Sequence, residues 1–437
     1  MNLYRKIIGI LVFLFFALDI APALSNDTQN KPVVIMFMNL KNYGYTALAQ
    51  RVYKVVNDNF PEKKITIISK GLTERDFDYF DSERVSIVDL GKHLEGIHSY
   101  TDEIREEIDQ ILHSASAIIT INGTDQFIRT VFDQQAFCNL QFINIVQIFG
   151  STKLVQDSHG RSYTKNRADG SEYTNNCRHI RMGLGDHEGI LVNPDLLKDS
   201  YRSALSDHYQ SLKERLPGLA QFIEESANNY YVSYMHSGEG LVDFVATASR
   251  LEGEKGAWVI TNQGKNDVFS YFAKSIFTQH GISKIEFKEF RVGLDPLTTE
   301  EVINNLNGQT VKIFHIPKID SQHEYYSLIE NSNPMVGVTG NSSLFDAITL
   351  GKVPFYKANH RHQDQINSQL AALDQSGLLK PFFKNYVDPE TKANTIRDYS
   401  YQIPAWTKSI LEERTFNSQL AEEIKFRINS HQAPKAW

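Results

Sequence analysis

Short apolar runs, each too brief for a helix and each followed by a stretch with helical spacing, recur through this chain and restrict it to few folds. Val33–Met38 is unbroken and apolar and ends at the polar stretch 39–44. Residues 47–56 then place Leu48, Val52 and Val55 on one helical face, and 65–68 returns to a strand pattern. Strand patterns at 85–90, 117–121 and 142–149 and a helical one at 100–114 continue the rhythm. The strands are apolar throughout rather than alternating, which predicts a parallel sheet covered by helices on both faces.

The polar interval 151–178 breaks the pattern and reads as a long loop, and helical segments follow from 195 to 225. A second series then begins, with strands at 230–235, 257–261, 284–290, 312–316, 335–338 and 353–356 and helices at 240–250, 267–280, 323–331 and 344–350. At 437 residues the chain exceeds what one core sustains. The expectation is an α/β protein of two Rossmann-like, doubly wound parallel-sheet domains facing a central cleft. The domains are read as 26–225 and 226–403, and a last helix, about 404–429 within the segment 404–437, returns to the first.

Residues 1–25 read as an export signal: Arg5 and Lys6, an apolar run from Ile7 to Leu18, then Ala23-Leu24-Ser25. About 12 residues rise only about 18 Å in a helix, short of a ~30 Å hydrocarbon core, so a cleaved signal rather than a membrane span is expected. The mature chain is then secreted, periplasmic or in the lumen of a secretory organelle. The net charge of −7 offers no basic footprint for nucleic acid. Cys138 and Cys177 are either a disulfide or two buried thiols, and no Cys/His spacing suggests zinc. His360 and His362 read as a solvated or substrate-contacting pair. The sequons at Asn26, Asn122 and Asn341 matter only in a glycosylating host, where a glycan at Asn341 would obstruct the segment considered next.

That segment is Thr339-Gly340-Asn341-Ser342-Ser343, placed where a strand ends and a helix begins. Backbone N–H groups there lack intrahelical partners and the dipole is positive, so an anion such as phosphate fits. Gly340 admits close approach, Asn341 or Ser342 is suited to cap the helix, and the hydroxyls of Ser342 and Ser343 are suited to donate to phosphate oxygens. The same pattern also describes an ordinary capped helix start. Asp346, one turn on, either complements the dipole or accepts from two vicinal hydroxyls of a ribose.

Together with Asp346-Ala347, Gly351-Lys352-Val353-Pro354 and Asp364-Gln365-Ile366-Asn367, this block resembles the donor site of GT-B glycosyltransferases, with the MurG-like group as the nearest pattern. The resemblance implies that Ser342 and Ser343 meet the diphosphate, Asp346 the ribose, and Asp364 and Gln365, in a turn after the next strand, the transferred sugar. It implies an acceptor-side first domain and a donor-side second one. That group carries Glu where this chain has Asp346, and its glycine-rich first loop is reduced here to 39–45 with one glycine. A weaker similarity, through 231–237, 183–189 and the same block, is to bacterial arginine rhamnosyltransferases.

Glycosyl transfer needs a base and a group that holds the leaving diphosphate. Asp125, after a strand of the first domain, and Asp186, beside His187 in a glycine-rich turn, are the candidate bases, each equally readable as a surface loop acid. His236 follows the first strand of the second domain and is a donor-site candidate or part of a capping loop. The expectation is thus an exported transferase that moves a sugar from a nucleotide-diphosphate sugar to a protein or glycan, with no cofactor and no metal. The alternatives are a sugar-nucleotide epimerase of the same architecture and a two-lobed carbohydrate-binding protein.

Overall fold

The computed structural model describes residues 31–430 apart from 39–42, 71, 73–79, 81–82, 91–93, 96–98, 101, 122–141, 148–154, 157–161, 164–177, 185–187, 292–293, 305–306, 318, 320, 359 and 385–386. The described residues form two compact units, one holding residues up to 182 together with 417–430, the other 183–416.

The first unit runs β1 (Val33–Met38), α1 (Tyr43–Asn59), β2 (Ile65–Lys70), β3 (Val85–Asp89), the short pair β4 (Leu94–Glu95) and β5 (Ser99–Tyr100), then α2 (Asp102–Ser114), β6 (Ala117–Ile121) and β7 (Phe142–Gln147). A second short pair, β8 (Val155–Gln156) and β9 (Ser162–Tyr163), precedes β10 (Arg178–Met182). The sheet order is β10-β7-β6-β1-β2-β3, with every neighbour parallel. Val34, Met36, Ile68 and Ile118 on one face pack against Ile104, Ile108 and Leu112 of α2, which repeat at four-residue spacing.

The second unit contains α3 (Asp199–Arg215), α4 (Pro217–Glu225), β11 (Tyr231–Tyr234), α5 (Gly238–Glu252), β12 (Trp258–Thr261), α6 (Lys265–Val268), α7 (Tyr271–Gln279), β13 (Ile282–Arg291), β14 (Leu294–Val302) and β15 (Gln309–His315). It continues with α8 (Gln322–Glu330), β16 (Met335–Val338), α9 (Asn341–Thr349), β17 (Val353–Tyr356), α10 (His360–Leu373), α11 (Lys380–Phe383), α12 (Pro389–Tyr399) and α13 (Ile403–Arg414). Its sheet order is β14-β13-β15-β12-β11-β16-β17, parallel except for β14. At Gly256, before β12, φ is +70° and an added Cβ would stand 1.9 Å from the Thr310 carbonyl oxygen, so the turn requires glycine. A final helix, α14 (Asn417–Ser430), belongs to the first unit and packs on α1 and β6.

The two doubly wound parallel sheets are the expected fold class. Several details differ from expectation. The strand β14 was not expected, because Asp295, Pro296, Glu300 and Glu301 make it read as loop; it is an edge strand, where such residues are tolerated. Helices α3 and α4 group with the second unit, not the first. Arg215 Nη2 donates to Glu324 Oε2 at 2.6 Å, Arg202 Nη2 to Glu330 Oε1 at 3.0 Å, and the Phe222 ring stands edge-on to Trp258 at 4.9 Å. The helix expected over 404–429 is two, α13 and α14. Between them Ile190 pairs with Thr415, and the Phe416 N–H donates to the Ile190 carbonyl at 3.2 Å. The helix expected over 267–280 breaks where Ser270 caps α7.

Candidate functional site

The second sheet has a topological switch. From β11 the chain steps outward to β12, and after β15 it returns to lay β16 against the other side of β11. In open α/β sheets the crevice outside the carboxyl ends of such a strand pair is where ligands bind. The first sheet has the same feature between β1 and β6. The loops that follow those strands, 39–42 and 122–141, lie outside the described residues, and Asp125 with them; residues 185–187, which include Asp186, do too, as do Cys138 and Cys177.

At the second switch the loop after β11 is held by side chains from its neighbours. The His236 N–H donates to Thr339 Oγ1 and the Met235 N–H to Asn262 Oδ1, both at 3.1 Å, while Gln263 Nε2 donates to the Met235 carbonyl. The His236 side chain is left exposed, its ring edge-on to Tyr234. Two strands across, His315 ends β15; burial pushes its imidazole down, with Glu289 opposing.

Two helices start beside this pair of strands, and their caps differ. In α5 the Gly240 N–H donates to Ser237 Oγ at 2.9 Å. In α9 the cap residue is Gly340, and among the described residues no side chain caps the helix. Neither Asn341 nor Ser342 takes the expected capping role, because the helix already begins at Asn341. The first intrahelical acceptor, the Gly340 carbonyl, takes the Leu344 N–H at 2.9 Å, so the helix itself supplies no acceptor for the N–H groups of its first turn. Asn341 is only 5% exposed, and its Oδ1 has no hydrogen-bond partner. Burial of that amide leaves no room for a glycan at its sequon. Ser343 departs from expectation too: its hydroxyl donates to the Gly340 carbonyl at 2.9 Å, so that proton is committed to the backbone.

Asp346 is 4% exposed and faces α8. The Tyr326 hydroxyl donates to its Oδ1 at 3.2 Å, and Gln322 Nε2 donates in turn to that hydroxyl. Tyr325 lies beside Tyr326, and Tyr201 bonds His323 Nδ1, whose ring stacks on His208 at 4.9 Å. Burial first, and the Asp346 carboxylate after it, push the Tyr325 phenol well up. Asp364 and Gln365 are half-buried within α10, so the expected turn is helix. Lys357, past the end of β17, is paired with Asp243 at 2.9 Å. Among the described residues no cluster of three His, Cys, Asp or Glu could hold a metal ion, and no helix is long and apolar enough to cross a membrane.

Sequence reading thus located Gly340, Asn341, Ser342, Ser343 and Asp346 on one helix beside His236. It missed Thr339, Asn262 and Gln263 as loop clamps, although each is a polar residue just past a strand end, and it missed the tyrosines of α8, whose spacing looks like ordinary core.

No protein-family model and no curated protein matches the chain. Solved structures are similar to it at low identity. The Medicago truncatula protein UGT71G1 complexed with UDP-glucose is 9% identical with a TM-score of 0.49, covering 94% of this chain and 100% of that one. A UDP-forming trehalose-phosphate synthase from Burkholderia xenovorans is 10% identical with a TM-score of 0.47, covering 92% and 100%. A Listeria monocytogenes protein named as a UDP-N-acetylglucosamine 2-epimerase is 10% identical with a TM-score of 0.46, covering 92% and 96%. Likeness of this size assigns no activity.

Proposed function

We propose that the chain is a glycosyltransferase whose second unit binds a nucleotide-diphosphate sugar with its diphosphate against the tip of α9. The observation that carries this reading is an α9 terminus at a topological switch that no side chain of the described residues caps, with glycine as cap residue and the buried Asn341 Oδ1 unpartnered beside it. The Asp346 carboxylate is assigned to the ribose, and His236, Asp364 and Gln365 to the phosphate and sugar side. In the reaction the bond from the sugar C1 to the diphosphate oxygen breaks and a bond from C1 to the acceptor oxygen or nitrogen forms. The acceptor proton passes to a base, and the helix tip stabilises the charge left on the departing diphosphate. The base is assigned to Asp125 or Asp186 on sequence position alone, and the acceptor to a protein or glycan.

Export, if residues 1–25 act as a signal, puts the donor in an organelle lumen or in a host cell reached by secretion, since a periplasm is not expected to hold nucleotide sugars. The test is titration calorimetry with UDP, GDP, CDP and dTDP. One of them binds if the reading holds, and binding of none overturns it. Release of nucleotide from the sugar donor that depends on added acceptor supports transfer, whereas conversion of the donor without acceptor would support the epimerase.

A further inference from the structure

Among the described residues, Tyr325 is the tyrosine of the α8 cluster whose hydroxyl has no hydrogen-bond partner. Tyr326 donates to Asp346, Tyr201 is joined to His323, and Tyr230 donates to the Leu328 carbonyl at 3.1 Å. Tyr325 is half-buried, and its hydroxyl oxygen is buried with no hydrogen-bond partner among the described residues. An orphaned phenol costs free energy unless something outside the chain completes it.

Its surroundings say what that something is. The ring lies 5.4 Å from Tyr234, at the end of β11, and Tyr234 in turn meets His236, so Tyr325 borders the switch-point loop. Its ring also lies 6.1 Å from that of Tyr326, whose hydroxyl donates to the Asp346 carboxylate, and Asp346 is set back along α9 from Asn341 by five residues, about 7.5 Å of helix rise. A carboxylate accepts and cannot donate; a phenol donates and accepts. A sugar hydroxyl needs both an acceptor for its proton and a donor for its oxygen, and an unpartnered phenol one residue from the tyrosine that holds the Asp346 carboxylate offers that pair.

We propose that Tyr325 is a specificity-determining residue that, with Asp346, reads the vicinal hydroxyls of the nucleotide's pentose and so selects ribonucleotides over deoxyribonucleotides. This rests on the nucleotide reading of the α9 tip.

The experiment titrates the full chain with UDP, GDP and CDP and with their 2′-deoxy counterparts, for the native protein, Tyr325→Phe and Asp346→Asn, with thermal midpoints recorded in parallel. The native protein binds one ribonucleotide about tenfold or more tighter than its deoxy form. Tyr325→Phe loses most of that ratio while its midpoint stays level or rises, because a buried unpaired hydroxyl has gone. Asp346→Asn, which keeps the shape and loses the charge, also lowers the ratio. A native ratio near one, or a ratio retained in a folded Tyr325→Phe, overturns the proposal and leaves the nucleotide reading intact. If Tyr325→Phe does not fold, a ratio unchanged in Asp346→Asn overturns it instead. Absence of binding by every nucleotide overturns both.

Discussion

At the scale of single residues, the two serines at the α9 tip separate. Ser343 spends its proton on Gly340, so Ser343→Ala is expected to change nucleotide affinity less than about threefold. Ser342→Ala is expected to weaken it about tenfold, the worth of a hydrogen bond to a charged oxygen; calorimetry on the two variants checks the order. Ala227 presents a simpler case. It holds φ of 53°, a left-handed conformation that L side chains resist, on an exposed turn before β11. Ala227→Gly is expected to add about 0.5–1 kcal/mol of stability, read from a urea midpoint. Two lysines behave unlike their surface relatives. Burial lowers both Lys352 and Lys392 to about 8, with Lys352 Nζ donating to the Glu330 and Ser332 carbonyls. The folded chain therefore binds these protons less tightly than the unfolded one, whose amines titrate near 10.5. Stability from this source is present above pH 10.5 and is lost as pH falls from there through 8. Denaturation midpoints across that range, compared with Lys392→Met, check the sign.

At the scale of elements, the turn at Gly256 is expected to be the least forgiving position. Gly256→Ala places a methyl against the Thr310 carbonyl and should cost about 3 kcal/mol or more, seen as a large fall in urea midpoint. The buried parallel strands were readable in the sequence because covering both faces demands unbroken apolar runs, as in Val33–Met38 and Met335–Val338. Edge strand β14 was not, since a half-exposed strand tolerates Pro296 and paired acids, and its place is decided by contact with β13. The α9 tip was readable from Gly340 to Ser343. The donor of its buried acid was not: whether Asp346 meets solvent or Tyr326 depends on how α8 packs, which no local pattern encodes. The break at Thr415 was equally hidden, because its cause is a partner, Ile190, more than two hundred positions earlier.

At the scale of the whole molecule, the first unit is built from both ends of the described chain. Helix α14 buries Leu420, Ile424 and Ile428 at four-residue spacing and packs on α1 and β6. Removal of residues 417–437 is expected to leave β11–β17 protected from hydrogen exchange while β1, β6 and α1 exchange much faster. During synthesis this arrangement imposes an order. The strands of the first sheet leave the ribosome early, but the helix that covers α1 and β6 is translated after all of residues 183–416. The nascent first unit therefore waits with part of its apolar face bare until α14 has been made.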